Sequence, residues 1–331
     1  SPFREAIPRD AVVFANLEGP VVSQKPFKDH TLHISNPTWS VDVLAQVGFD
    51  VFSLANNHVM DFADDGLSQT IRRCRGKVQV TGAGATLGSA TQPALFSAAD
   101  GSELCLLAFA DEWPDIASYV ATDSSPGYAS LYHDGVERIV SECVERYDAV
   151  IVYLHWGLMG LYQPKPQHRK FAHRLAELGV PLIIGSHCHN IQGYEMVGDS
   201  LVAYGLGNLC FSPTTGDGFH VDHGAQSRYS VVLSAVIERG RLREFDFSPW
   251  HFDNRSGLQP LAGEDRAQIL RQLGALSCGF SAKNYDRWFD LYNSRNPASE
   301  TSPLGANLWV TAEKRGLDWV PVWHSSDGEP D

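Results

Sequence analysis

Two histidines one residue apart, His187 and His189, follow the apolar run 181–184 and Gly185. In a turn after a strand, two such imidazoles can converge on one or two cations, and imidazole suits Zn, Mn, Fe or Ni; as surface residues the pair needs no metal. Asn56-Asn57-His58-x-x-Asp61 follows the run 50–54. Here an amide oxygen can ligate a metal, His58 can exchange a proton with a bound substrate, and Asp61 can orient that imidazole. The same residues would also serve as a turn and a helix cap. His155-Trp156-Gly157 ends the run 149–154, and Asn16-Leu17-Glu18 places one carboxylate after the run 12–15. Singly, each group has a structural explanation. Together, four strand ends that each deliver an Asn, Glu or His point to a metal centre.

Such residues meet only if the strands bring them to one edge. Helices are predicted at 38–47, 66–74, 134–147 and 166–178, the last stopped by Gly179. Strands alternating with helices make an α/β pattern with a buried sheet, and the crossovers gather successive strand ends along one edge, where ligands of open α/β sheets bind. Beyond Asn208 the runs 231–238 and 242–247, separated by Arg239-Gly240-Arg241, predict a hairpin. From Asp253 the chain reads as irregular, with a short helix near 264–276 and a tail carrying Trp309, Trp319 and Trp323.

Composition excludes some classes. The 26 basic and 39 acidic residues leave a net charge of −13, with no cluster of Lys and Arg to contact phosphates, so a nucleic-acid partner is not expected. Six scattered cysteines without a CxxC pair fit a reducing, cytoplasmic location better than a disulfide scaffold. No apolar run reaches the ~20 residues of a membrane span. Residues 1–10 lead into the first strand-like run with no capping segment, so an earlier element is expected upstream.

In order along the chain, Asn-Leu-Glu (16–18), Ala-Asn-Asn-His-x-x-Asp (55–61), His-Trp-Gly (155–157), Gly-x-His-x-His (185–189) and Tyr-Gly-Leu-Gly-Asn (204–208) form a set that resembles the CapA-type poly-γ-glutamate synthesis family, from about Ala11 to Phe211. That family is similar to the calcineurin-like metallo-dependent phosphatases. The resemblance implies a four-layer α/β/β/α sandwich with one or two divalent metal ions (Mn, Zn, Fe or Ca) at the strand ends. It makes Glu18, Asn57, His155, His187 and His189 the expected ligands. It also makes His58 the proton donor held by Asp61, with Glu18 and His187 as further acid/base groups and Asn16, Asn56, Trp156 and Asn208 as substrate-binding residues. Residues 1–250 are then the catalytic domain and 251–331 an extension packed on it that forms a substrate wall. The family's first strand, ending Gly-Asp, has no counterpart before Glu18. Its last motif usually has His at 186 and Pro at 188, where this chain has Ser186 and Cys188; the Cys188 side chain is expected to point away from both histidines and to pack.

The implied substrate is a peptide or isopeptide. The preferred reaction is Cα epimerisation in a ribosomally made, lasso-type peptide, as for relatives of the fold that occur with such peptides. Only Lys165, Arg169 and Lys170 follow His155 closely, a poor provision for a polyanion. Hydrolysis of poly-γ-glutamate or a phosphoester is the alternative, and a non-catalytic binding module on the same fold is the second.

Overall fold

Alternate residues of one strand, Glu103–Ala110, face two different cores, and the architecture follows from that. The computed structural model describes every residue except 24–32, 99, 114–118, 212–213, 217–218, 222–224, 283, 296–307, 316–317 and 326–331, with backbone alone at 214–216, 219–221, 225–226, 291–295, 308–315 and 318–325. In chain order the elements are α1 (Pro2–Ala6), β1 (Phe14–Asn16), α2 (Ser40–Val47), β2 (Val51–Ser53), α3 (Ala63–Cys74), β3 (Gln79–Thr81), β4 (Ala83–Gly84), α4 (Leu87–Ala90), β5 (Ala94–Ser97), β6 (Glu103–Ala110), β7 (Gly127–Tyr128), α5 (Val136–Arg146), β8 (Ala149–His155), α6 (Pro166–Glu177) and β9 (Leu182–Ser186). They continue with β10 (Tyr194–Val197), β11 (Ser200–Ala203), β12 (Thr214–Gly216), β13 (Phe219–Val221), β14 (Tyr229–Glu238), β15 (Arg241–Asp253), β16 (Gly257–Pro260), α7 (Gly263–Cys278), α8 (Tyr285–Arg295), β17 (Leu308–Arg315) and β18 (Asp318–Ser325).

The larger sheet runs β10-β11-β9-β8-β6-β5, parallel through its centre with antiparallel edges. Cys105, Leu107, Val150, Val152 and Leu154 pack with Val140 of α5 and Leu175 of α6. The residues between them, Leu106, Ala108, Ile151 and Tyr153, pack with Val51 and Phe52 of the second sheet. Burial on both faces explains why β8 reads as an unbroken apolar run. The second sheet is parallel, ordered β1-β2-β3, and Val41 of α2 and Leu67 of α3 join its core. Phe14 and Tyr153 meet edge to face across the two sheets at 6.2 Å. The layers are therefore helix, sheet, sheet, helix, the expected α/β/β/α sandwich.

Several expectations need correction. The N-terminus does have a capped element: Ser1 caps α1, and Phe3 stacks on Phe49 (5.4 Å) and meets Trp250 edge-on (5.5 Å). The helix expected near 264–276 is α7, whose Ile269 and Leu273 bury against Val231 and Phe247 of the β14–β15 hairpin, and among the described residues β16, α8, β17 and β18 add regular structure where the chain was read as irregular. The boundary drawn at residue 250 falls inside β15, which pairs with β14 along nearly its whole length. β17 and β18 form a hairpin, while the side chains of Trp309, Trp319 and Trp323 lie outside the described residues. Among the described residues no helix is long and apolar enough to cross a membrane.

A partly buried ionic clamp ties α6 to the C-terminal helices. Arg169 donates twice to Glu195 (2.8 and 2.7 Å) and once to the Phe280 carbonyl (3.0 Å), and lies 4.7 Å over the Tyr285 ring. Glu195 also accepts from the Tyr204 hydroxyl at 2.7 Å and meets His173 Nε2 at 2.9 Å. Burial would raise the Glu195 pKa, but Arg169, Tyr204 and His173 outweigh it and hold the carboxyl below its ordinary 4.5. A depressed carboxyl stabilises the fold above its unfolded pKa and loses that contribution as pH falls through the folded value. Glu195→Ala leaves the partly buried Arg169 without its partner and should cost roughly 2 kcal/mol by denaturant unfolding at pH 7, with a smaller cost in acid. An unchanged unfolding midpoint at pH 7 would show that the clamp contributes nothing.

Candidate metal centre

The four strand ends meet where the two sheets face each other, β1 and β2 delivering from the smaller sheet and β8 and β9 from the larger. His155 at the end of β8 is fully buried. Its Nδ1 lies 3.0 Å from Ser186 Oγ, and that hydroxyl donates to the Leu154 carbonyl at 3.4 Å, so it accepts from Nδ1–H. The Nε2 lone pair then faces Asn57 Oδ1 at 2.9 Å and His187 Nδ1 at 3.1 Å. An imidazole lone pair and an amide oxygen at that separation repel each other unless a cation lies between them.

A second donor pair lies beside the first. His189 Nδ1 donates to Asn208 Oδ1 at 2.8 Å, which turns its Nε2 toward Glu18 Oε1 at 3.8 Å. Two ligands of one cation with bonds of ~2.1 Å stand roughly 3–4.2 Å apart, depending on the angle between them, so this pair fits a single ion. The Asn208 bond to the far nitrogen is the kind of contact that fixes a ligating imidazole. Asn208 Nδ2 is buried with no hydrogen-bond partner among the described residues. The imidazole-rich set suits Zn, Mn or Fe better than Ca, which takes oxygen ligands. Among the described residues no three His, Cys, Asp or Glu side chains gather at one point. The donors form two groups, His155 with Asn57 and His187, and His189 with Glu18, joined through the His187 and His189 rings at 6.2 Å.

The backbone accepts strain to make this possible. His187 and His189 both have left-handed φ, 86° and 57°, whereas Cys188 between them does not. Non-glycine residues held there cost of order 1–3 kcal/mol each and cluster at functional sites. Cys188 is buried, its thiol donating to the Asn190 carbonyl at 3.2 Å, a packing role as expected. Gly185 allows the approach from behind, since a Cβ there would lie 2.0 Å from the Tyr204 carbonyl oxygen and 2.4 Å from Trp156 Nε1.

Electrostatics divides the imidazoles. Burial holds His155 and His187 well below their ordinary 6.5, with neighbouring imidazoles adding to the effect. Burial takes His189 to about 4 against the opposing bond to Asn208. For His58 burial also lowers the pKa, but Asp61, with Glu18 assisting, outweighs it and the net shift is upward. His58 Nδ1 meets Asp61 Oδ2 at 2.8 Å, and that same oxygen accepts from Ile34 N at 2.7 Å. Three imidazoles are thus biased toward the neutral donor form, and His58 alone is biased toward its protonated form.

Two expected substrate contacts are corrected. Asn56 is fully buried, and its amide bonds Asn16 Oδ1, the Leu17 carbonyl, Gly19 N and His58 N, which leaves it to shape the turn. Trp156 points to the helix side of the sheet, stacked on His168 (5.1 Å) and Tyr204 (5.9 Å), because alternation puts it opposite His155. Asn16 donates to Glu18 Oε2 at 3.2 Å and so orients that carboxylate. Three contributors escape sequence reasoning. Trp113 covers His187 (4.5 Å) and His155 (5.9 Å), and Phe211 meets His189 at 4.9 Å. Asp111 accepts from Gly157 N at 3.1 Å while its own N–H bonds the His155 carbonyl at 2.8 Å. The signal for two of them was present, as the apolar run of β6 ends in Asp111-Glu112-Trp113.

Residues 1–213 match the family model described as bacterial capsule synthesis protein PGA_cap. The chain is 29% identical over 241 residues to the PGA biosynthesis protein CapA of Bacillus subtilis, covering 72% of this chain and 60% of that protein. It is 26% identical over 271 residues to the capsule biosynthesis protein CapA of Bacillus anthracis, covering 79% and 63%. A probable polyglutamine synthesis accessory protein of Mycobacterium tuberculosis is 29% identical over 287 residues, covering 82% and 74%. The chain thus spans less than two thirds of the length of the first two relatives. Among solved structures, a 5'-nucleotidase from Candida albicans aligns with TM-score 0.41 at 10% identity (77% of this chain, 44% of that one), and the calcineurin-like phosphoesterase YfkN from Bacillus subtilis with TM-score 0.35 at 13% identity (67% and 65%).

Metal reconstitution tests the centre directly. After loading with Mn or Zn, the wild type should hold at least one equivalent by elemental analysis. His155→Ala and His189→Ala should each weaken binding at least 10-fold, and Asn208→Ala about 10-fold through the imidazole it orients. Trp156→Phe, on the opposite face, should leave metal affinity unchanged. Wild-type affinity in both histidine variants would remove the site.

Proposed function

This chain belongs to the bacterial capsule synthesis protein PGA_cap family, and we propose that it is a metal-dependent enzyme that hydrolyses amide bonds in a γ-glutamyl polymer or peptide. The observation that carries this reading is the geometry of the strand ends, where the donors His155, Asn57 and His187 and the pair His189 and Glu18 come together near His58, whose Nδ1 is held by Asp61 at 2.8 Å. The names of the similar proteins, which refer to PGA, capsule and polyglutamine synthesis, support a glutamyl substrate over a phosphoester.

A divalent cation bound by His155, His187 and Asn57, or by His189 and Glu18, would polarise the substrate carbonyl and lower the pKa of water. The protein's own residues do the rest. Asp61 ties up His58 Nδ1, so Nε2 is the atom left to pass a proton to the departing nitrogen. Asn36 donates to the Glu18 and Gly19 carbonyls (2.8 and 3.0 Å) and holds the turn that carries the Glu18 carboxylate. Trp113 and Phe211 shield the imidazoles from water, which strengthens every charge interaction inside.

Cα epimerisation of a lasso-type peptide, the reaction preferred on the family resemblance, stands second. Inversion needs acid/base groups on opposite faces of the carbon, and His58 with Asp61 supplies one. A binding module without chemistry stands third.

Mass spectrometry of a γ-glutamyl oligomer incubated with metal-loaded protein in deuterated water separates the three. Shortened chains are the expected result, and His58→Gln with metal retained should lower kcat by about 100-fold or more. A one-dalton gain without cleavage would establish exchange at Cα instead. No change in the oligomer under any metal would leave only binding.

A further inference from the structure

Beside the metal centre lies a cavity of about 470 Å³, within the ~300–1,000 Å³ of small-molecule sites. Its lining includes Phe211, Arg228, His251, Asp253, Asn254 and Arg255. We infer that this cavity is an anion-binding subsite that takes the side-chain carboxylates of a glutamyl chain while its amide lies at the metal centre, an inference that rests on the reading above.

Position carries the first part of the argument. Phe211 belongs to both places, its ring 4.9 Å from that of His189 and its side chain on the cavity wall. The loop bearing Asn208 is tied to β14, which follows Arg228 directly and pairs with β15 at His251, with Gly207 bridged to Ser230 and Val231 N donating to the Leu206 carbonyl at 2.8 Å. A chain held at His189 therefore needs to pass only one aromatic ring to enter the cavity.

Charge carries the second part. In a protein of net charge −13, two arginines and a histidine line one cavity. Asp253 is the one carboxylate among the described lining residues, and the turn engages it. It accepts from Arg255 N at 2.6 Å, from Ser256 N at 2.9 Å and from the Ser256 hydroxyl. Both guanidiniums belong to exposed residues, and a guanidinium matches a carboxylate with two parallel hydrogen bonds. Arg169, the first arginine after His155, is instead engaged through Nε and Nη2 with Glu195 and the Phe280 carbonyl. Provision for a polyanion thus exists, assembled from 228 and 251–255, far along the chain from the motifs.

The test uses the full, metal-loaded chain and a fluorescein-labelled γ-glutamyl decamer, read by anisotropy and by turnover. Arg228→Gln and Arg255→Gln should each weaken decamer binding about 3- to 10-fold, raise KM in parallel, and flatten its salt dependence. The loss should be greater for the decamer than for the γ-glutamyl dimer. Arg243→Gln, an exposed arginine elsewhere on β15, should bind the decamer like the wild type. Competition by inorganic phosphate at constant ionic strength distinguishes the anion: displacement of the decamer by millimolar phosphate but not by added α-linked oligoglutamate would overturn a carboxylate subsite in favour of a phosphate one. Unchanged decamer affinity in the double variant, with its thermal unfolding like wild type, would overturn the inference outright. Failure of the functional reading looks different: the wild type would bind the decamer in an arginine-dependent way yet never cleave it.

Discussion

The 2.9 Å approach of His155 Nε2 to Asn57 Oδ1 joins the carboxyl ends of two sheets, and much of the molecule serves to hold that approach in place. With the His155 proton on Nδ1 toward Ser186, the buried Nε2 lone pair facing an amide oxygen is an unfavourable arrangement for neutral groups, and the left-handed backbone at His187 and His189 adds further cost. The offset comes from apolar layers on both sides of the larger sheet, where β6 and β8 pack helices on one face and the second sheet on the other. Because the sheets are fixed by these two cores, their polar ends cannot relax apart. Strain and desolvation are concentrated where a cation would relieve them.

The same burial sets the chemistry. Burial biases three imidazoles toward the neutral form that can donate to a cation, while at His58 Asp61 is close enough to outweigh burial and shift the pKa upward. Environment therefore assigns opposite roles to identical side chains within one cluster. Around it, surface charge is distributed against the average. The protein is strongly acidic as a whole, yet the wall reached past Phe211 carries Arg228 and Arg255. Screening acts over about 8–10 Å at physiological salt, so what a bound substrate meets is this local wall and not the net charge.

Much of this was legible in the sequence. The apolar runs behind Asn57, His155 and His187 gave the strands their places, since a strand buried on both faces has no choice but to be apolar throughout. Gly179 marked the end of α6, where it takes φ 97°, and Arg239-Gly240 marked the turn between β14 and β15, both residues having positive φ. The ordered motif set identified the family, and Cys188 was correctly read as packing, its buried thiol turned to the Asn190 carbonyl.

What the sequence could not supply were the relations through space. Trp156 looked like a site residue because it follows His155, but one step along a strand reverses the face, and it stacks on His168 behind the sheet. Asn56 looked available until its four hydrogen bonds were seen to close the turn. Trp113 and Phe211 became part of the centre through folding alone, as did the arginines of the cavity. The order and chemistry of the strand ends were determined by the sequence itself, because burial of each strand is a local property of its residues. Which side chains share the centre, and with what charge around them, was decided by the tertiary structure, because distance and desolvation depend on elements far apart in the chain.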